Sequence, residues 1–235
     1  MYQGKRISVV LPAYNEEENI RQEIGNLFDT GLVDEIIAVD NNSSDRTAEE
    51  IQKTRAKYVK EINQGYGYAL RRGLQEASGD FIFTSEPDGS FVAEDLKKFL
   101  VYADDFDAIF GTRTSKALIW EGAKMDWFLR IGNVAVAKLL EYLHNGPCLT
   151  DVGCTFKMIK AEALAKIINS FRVGRSHFSP EFMILCIRNQ LRCIEIPVSY
   201  KKRIGQSKIT SNSWKSFKLG LRMIMLILQC RFRCP

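Results

Sequence analysis

Histidine is scarce: the 235 residues hold only His144 and His177, and neither stands in a recognisable acid–base or metal-binding motif. No histidine base is advertised. The six cysteines, at 148, 154, 186, 193, 230 and 234, form no CxxC pair and have no histidine at zinc-finger spacing. That pattern argues against a structural zinc site and for reduced, mostly buried thiols. No basic-then-apolar leader precedes the strand-like "RISVVLP" (6–12), so a secretory signal is not expected and a cytosolic catalytic face is. A bilayer span needs roughly 20 apolar residues, and the stretch after Lys218 ends at Gln229 with Arg222 inside it, too short to cross. Acid is almost missing from the C-terminal part: from Arg188 onward eleven Lys/Arg face Glu195 alone, +10 out of a net +5, leaving −5 for residues 1–187. So lopsided a segment calls for an anionic partner, whether phosphate, lipid or nucleic acid. No internal repeat or low-complexity segment is visible.

With 46% apolar and 26% charged residues, the chain reads as one large globular domain with an appendage. Its first 110 residues alternate between two periods. "ISVVLPA" (7–13) is a short β-branched run, and the helix that follows puts Ile20, Ile24, Leu27 and Phe28 on one face and stops at Gly31. "DEIIAVD" (34–40) and a helix with Ser44 or Asp45 as N-cap repeat the unit, and "KYVKEI", "GYGYALRRGLQEASG", "DFIFTS" and "AEDLKKFLVYA" continue it. This predicts an α/β fold, a mainly parallel sheet flanked by helices, with ligands at the carboxyl ends of the strands. "YNEEEN", "DNNSSD" and "SEPDGS" all fall at such ends. Beyond "DAIFGTRT" (107–114) come a long helix over "MDWFLRIGNVAVAKLLEYLHN", a strand over "DVGCTFKMI", a helix entering at Ser179 with Pro180 at its first position, and a strand over "RCIEIPVSY". Residues 1–211 are expected to form the main domain and 212–235 an amphipathic helix. In that helix Trp214, Phe217, Leu221, Ile224 and Leu228 make an apolar stripe beside Lys215, Lys218 and Arg222.

Six segments in order, "VVLPAYNEEENI", "AVDNNSSDRT", "NQGYGYALRRGLQEASGD", "SEPDGSF", "GTR" and "YKKRIGQSKI", resemble the family 2 glycosyltransferases of type A fold. Within them the chain looks most like the dolichyl- or polyprenyl-phosphate sugar transferases. The resemblance runs over about residues 6–210. It implies a nucleoside site at Pro12, Tyr14, Glu16 and Asp40, where an aromatic ring offers a stacking face and a carboxylate accepts hydrogen bonds from base or ribose. Asn41 departs from the family's second aspartate. Gly65 and Gly67 would let the backbone approach the nucleotide. The resemblance leaves Arg71 and Arg72 open, as phosphate contacts or as solvated helix charges.

The family's Asp-x-Asp motif reads Glu86-Pro87-Asp88 here. A sugar nucleotide leaves as an anion, and a divalent cation bridging carboxylate and diphosphate oxygens neutralises that charge. The expected metal is Mg²⁺ or Mn²⁺, with Asp88 as primary ligand and Glu86 in a shared or secondary contact. Arg113, Arg203 and Lys208 match positions that hold acceptor phosphate or donor diphosphate, and Arg130, inside an apolar helix, is placed with the acceptor phosphate. Asp151, in "LTDVGCTF", orients the acceptor or an arginine.

The expected activity is inverting, metal-dependent transfer from a UDP- or GDP-linked sugar to a polyprenyl phosphate, by a protein peripheral to the cytosolic membrane face. No nucleic-acid partner is expected. The tail stripe would meet the membrane or pack on the domain or on a second copy of the chain. Two alternatives stand beside this: extension of a glycan, with Glu181 or Asp151 as base for a hydroxyl acceptor, and a catalytically weak nucleotide-sugar or lipid-phosphate binding module.

Overall fold

β1 (Ile7–Ala13) is buried along its whole length, as a strand covered on both faces must be. It pairs in parallel with β2 (Glu35–Asp40) on one side and β4 (Phe81–Thr84) on the other, and β3 (Lys57–Lys60) extends the sheet beyond β2. The other half is mixed. β6 (Lys157–Lys160) runs antiparallel between β4 and β5 (Ala108–Thr112), and β7 (Cys193–Pro197) closes the edge in parallel with β5. The seven strands stand in the order β3-β2-β1-β4-β6-β5-β7. These descriptions come from a computed structural model that describes residues 1–123, 127–203 and 213–232. The boundary drawn at 211/212, and Lys208, lie outside the described residues.

Helices cover both faces of the sheet. α1 (Ile20–Asp29), α2 (Thr47–Gln52) and α4 (Leu96–Val101) join one apolar layer, and α3 (Tyr66–Glu76), α5 (Trp127–His144), α6 (Ala161–Ile167), α7 (Phe178–Arg188) and α8 (Ser213–Phe232) join the other. Gly31, at φ +69°, ends the α1 segment as expected, because a left-handed backbone there suits a residue without Cβ. α2 starts at Thr47 with Arg46 at its N-cap position, not at Ser44 or Asp45. The Asp45 carboxylate still serves the helix end, accepting from Thr47 N–H at 3.0 Å and from its hydroxyl at 2.5 Å. α7 begins at Phe178, one residue before Ser179. Pro180 is thus the third helical residue, still within the first turn, where no backbone N–H is required.

Two differences matter more. The strand expected over "DVGCTFKMI" forms only at Lys157–Lys160, because residues 151–155 are drawn into a turn by side-chain contacts described below. The tail helix α8 has two apolar faces. Met223 and Ile227 are buried against α5 and α7, with Ile224 partly so, and His144 Nε2 lies 3.1 Å from Ile227 O. Trp214, Phe217, Leu221 and Leu228 remain exposed, with Trp214 stacked on Phe217 and the Lys218 ammonium 5.3 Å from the Trp214 ring centre. The expected single stripe is therefore interrupted at Ile224, which turns toward the domain. Among the described residues no helix is long and apolar enough to cross a membrane.

α1 buries Glu23 beside Ile20, Ile24 and Leu27. Its carboxyl is pushed up to about 7, first by burial and further by the charge of Asp88, with a hydrogen bond from Asn26 opposing. An unfolded Glu23 ionises near 4.5 while the folded one keeps its proton to about 7. Stability therefore falls as pH rises through that window. Glu23→Gln is expected to raise stability at pH 8 by about 3 kcal/mol at most and to change little at pH 4.5. Melting curves at the two pH values check this, and an equal gain at both would mean that the charge is not the cause.

Candidate active site

The carboxyl ends of β1, β2, β4 and β5 meet on one rim of the sheet, and the turn before β6 enters the same rim because β6 runs in reverse. Pro12 is buried in β1, and Tyr14, just beyond it, is 38% exposed. The loops after β1 and β2 are laced together: Glu16 N–H donates to Thr47 Oγ1 at 2.8 Å, Ser44 N–H to Asn15 Oδ1 at 2.9 Å, and Arg46 Nε to Glu17 Oε2 at 3.1 Å. Glu16 Oε2 also accepts from Asn19 at 3.2 Å, so this residue helps to start α1 as well as lining the rim.

Asp40 is buried, accepting from Ser43 N–H at 3.0 Å and from Tyr58 OH at 3.4 Å. The neighbouring Asn41 explains its own departure from a double aspartate. Its amide nitrogen donates to Asn63 O at 2.7 Å and Glu61 O at 3.3 Å, while its Oδ1 accepts from Gly65 N–H at 2.7 Å. A carboxylate could accept but not donate, and would face two carbonyl oxygens. Asn41 thus ties β2 to the 61–65 loop.

The two glycines after that loop have a packing role. A Cβ at Gly65 would lie 2.2 Å from Gly174 O, and one at Gly67 2.3 Å from Val173 O. The backbone that comes close to them is that of residues 173–174. Arg72 pairs with Glu76 at 2.8 Å, one helical turn on, as a solvated helix charge does.

After β4 the acidic turn closes on a cation. Asp88 is buried, and its Oδ1 accepts from Ser90 N–H at 2.9 Å. Arg203 donates through Nη2 to Glu86 Oε2 at 2.6 Å and through Nε and Nη2 to Asp88 Oδ2. The carboxyl of Glu86 is pushed up to about 7 by burial and by the charge of Asp88, with Arg203 opposing. Burial works against the Arg203 charge, but the two facing carboxylates outweigh it and hold its pKa above the ordinary value. The segment carrying Arg203 is fixed from several sides. Asp95 Oδ2 accepts from Ser199 N–H at 2.5 Å, Lys201 N–H donates to Ser90 O at 2.8 Å, and the Tyr200 ring packs 5.8 Å from Phe91.

The convergence of two carboxylates on one guanidinium is also the test of whether a metal fits. Glu86 and Asp88 aim oxygen atoms at a single cationic point, and oxygen donors suit Mg²⁺ or Mn²⁺. Among the described residues no three His, Cys, Asp or Glu side chains form a metal cage. A divalent ion here would take its remaining ligands from diphosphate and water.

Arg113, just past the end of β5, is clamped by Asp151: its backbone N–H and Nε reach Asp151 Oδ2 at 3.0 and 2.8 Å, and Nη2 reaches Oδ1 at 3.0 Å. Asp151 has no exposed surface and the arginine side chain is 14% exposed. Burial would neutralise both, but their attraction wins, keeping the carboxyl below and the guanidinium well above their ordinary ranges. Of the two roles expected for Asp151, orienting an arginine is the one the contacts support. Sequence reasoning missed the next layer. Glu195 on β7 accepts from Thr150 N–H and Oγ1 at 2.7 and 2.6 Å and from Asp151 N–H at 3.0 Å, holding the turn that carries Asp151. Its one sequence signal is that it is the sole acid after Arg188.

Arg130, on α5, is half-buried and forms no ion pair with another described residue. It stands one turn before Asn133, and a Cβ at Gly153 would lie 2.8 Å from Asn133 Oδ1 and 3.3 Å from Arg113 Nη2. Arg130 and Asn133 are therefore neighbours on the helix surface beside the Arg113 clamp. Glu181 is buried and takes the N–H groups of Arg172 and Val173 on its two oxygens at 2.8–3.1 Å.

The chain is similar to known proteins over almost its whole length. An uncharacterised protein of Methanocaldococcus jannaschii is 31% identical over 230 residues, 93% of this chain and 91% of that protein. A dolichyl-phosphate hexose transferase of Haloferax volcanii is 29% identical over 231 residues, 97% of this chain and 96% of that one. Among solved structures, glucosyl-3-phosphoglycerate synthase from Mycobacterium tuberculosis, in complex with Mn²⁺, UDP and glucosyl-3-phosphoglycerate, superposes with a TM-score of 0.74 at 20% identity, covering 99% of this chain and 81% of that one. That likeness is one of fold. The sequence profile of glycosyl transferase family 2 matches residues 8–168, well over half of the chain, and the chain belongs to that family.

Proposed function

We propose that this glycosyltransferase moves a sugar, with inversion, from a UDP- or GDP-linked donor to a polyprenyl phosphate of the dolichyl type. The supporting observation is the state of the two carboxylates that a hydroxyl acceptor would need as base. Both oxygens of Asp151 are engaged by Arg113, and both oxygens of Glu181 by backbone N–H groups. An acceptor phosphate arrives already ionised and needs neither. Its oxygen attacks the anomeric carbon from the face opposite the nucleotide, and the bond to the nucleoside diphosphate breaks as the new one forms. Glu86 and Asp88 would hold Mg²⁺ or Mn²⁺, which neutralises the departing diphosphate. Arg113, oriented by Asp151, and Arg203 supply charge for the phosphates, with Arg130 beside them. Pro12, Tyr14, Glu16 and Asp40 line the nucleoside side. The near full-length similarity to a dolichyl-phosphate hexose transferase supports the same acceptor.

A second reading rests on the solved relatives with phosphoglyceric acid bound: a small phosphorylated acceptor attacked through a hydroxyl. One assay separates them. The purified chain with Mn²⁺ and a panel of UDP- and GDP-sugars is offered a prenyl phosphate, the unphosphorylated prenol, 3-phosphoglycerate and free sugars. Transfer to prenyl phosphate alone is expected. Transfer to phosphoglycerate or to a sugar, with none to prenyl phosphate, would overturn the proposal.

The outer face of α8 is assigned to the membrane, with the protein peripheral at the cytosolic side. Trp214 and Phe217 are 61% and 54% exposed beside Lys218 and Arg222, a combination suited to the headgroup region. Because the opposite face of α8 is built into the core, deleting the helix would test folding rather than docking. Trp214→Ser with Phe217→Ser is expected to lower sedimentation with anionic vesicles about tenfold or more, by loss of buried apolar area, at an unchanged melting temperature. Activity on a short soluble prenyl phosphate should be spared. Unchanged vesicle binding would return this face to contact with protein, including a second copy of the chain.

A further inference from the structure

Arg203 stands where a divalent cation would have to sit. It bonds one oxygen of Glu86 and one of Asp88, while the other Asp88 oxygen is taken by Ser90 N–H. Mg²⁺ needs oxygen ligands at about 2.1 Å, so a metal between these carboxylates and a guanidinium bonded to the same atoms exclude each other. The arginine is also placed to leave. The chain is anchored up to Lys201, at Ser199 by Asp95 and at Lys201 N–H by Ser90 O, and among the described residues the Arg203 side chain's hydrogen bonds go to the two carboxylates. Two carboxylates that share one site repel each other when both are ionised, so the ionised pair favours a cation between them.

We propose that Arg203 is the resident counter-cation of Glu86 and Asp88, that the metal displaces it when it binds with the donor diphosphate, and that the displaced guanidinium then serves the acceptor phosphate. This rests on the reading of the acidic pair as the metal site and of the acceptor as a phosphate. It imposes an order: Arg203 is not available to an acceptor until metal and nucleotide are in place. By linkage, donor and acceptor then bind with positive coupling, although both are anions and would otherwise repel.

The test uses the whole chain and three readouts. Binding of Mn²⁺ alone, followed by electron paramagnetic resonance of the free ion, is expected to tighten about tenfold in Arg203→Gln, the scale of one competing ion pair removed. Arginine modification by phenylglyoxal, mapped by mass spectrometry, is expected to spare Arg203 in the metal-free chain. It should reach Arg203 several-fold faster with Mn²⁺ and UDP or GDP, while Arg192, paired with Asp107 far from this turn, keeps its rate. Unchanged Mn²⁺ affinity in the variant overturns the exchange. So does an unaltered Arg203 reactivity, because simple repulsion between arginine and metal would tighten Mn²⁺ in the variant without moving Arg203 in the parent. The acceptor half is read by calorimetry with a short prenyl phosphate. Mn²⁺ with nucleotide should strengthen its binding in the parent and not in Arg203→Gln. If prenyl phosphate fails to bind in every state while Arg203 still becomes reactive, the exchange stands and the acceptor assignment falls.

Discussion

Asp88→Ala is expected to lower sugar transfer about 10³-fold or more, the loss of roughly 4 kcal/mol of transition-state stabilisation. Asp88 is the buried member of the acidic pair, with one oxygen fixed by Ser90 N–H and the other turned to the cationic point. Removing it takes away the proposed ligand and the hydrogen bond that fixes the turn. Glu86→Ala should be milder, on the order of tenfold, because the longer side chain is placed in a shared contact. The comparison requires that both variants stay folded, checked by melting curves, and that donor binding be measured with and without Mn²⁺. Undiminished turnover in Asp88→Ala would remove Asp88 from the site. Equal losses in the two variants would instead make them equivalent ligands.

Asp151→Ala should cost about 3–5 kcal/mol of stability, because it leaves the Arg113 charge buried without its partner. For a domain of this size that is on the order of 10 °C in melting temperature. Asp151→Asn keeps the shape and one acceptor and should cost less. The informative variant is Arg113→Met with Asp151→Leu, which replaces the buried pair by apolar groups and is expected to recover most of the lost stability. If Arg113 touches a substrate phosphate, the double variant will be stable and inactive. If it is active, the pair serves the fold alone.

The placement of the early motifs was legible because βα units with polar ends repeat locally, and each motif in residues 9–90 lies where its own strand stops. In the later half Arg113, Asp151 and Arg203 were marked by motif, but the contacts that place them were not legible. "DVGCTF" has the composition of a strand, yet Asp151 must turn to meet Arg113, and the group that enforces the turn, Glu195, sits 44 residues further on. Inside "RCIEIP" that acid reads as the solvent side of an alternating strand. That Gly65 and Gly67 admit residues 173–174 was hidden because that segment is remote in sequence. Glu23 was hidden by its surroundings, since a helix opening with several acids gives no sign which one faces inward. What was missing in each case was knowledge of a long-range neighbour, which neither periodicity nor motif spacing carries.

The reversal of β6 sets who can take part in the chemistry. Lys157 opens β6 opposite Thr84 at the end of β4 and Phe110 near the end of β5. A parallel strand of the same four residues would deliver the preceding turn to the far edge of the sheet, about 13 Å away. Running backwards, the strand acts as a return stitch: the chain leaves the rim at Arg113, travels through α5, and re-enters it at Asp151. β7, parallel to β5, then brings Arg203 to that rim once more. The early motifs and the later segments are thus sewn along one seam, stitched across it by the pairing of β6 with β4 and by Arg203 on the turn after β4.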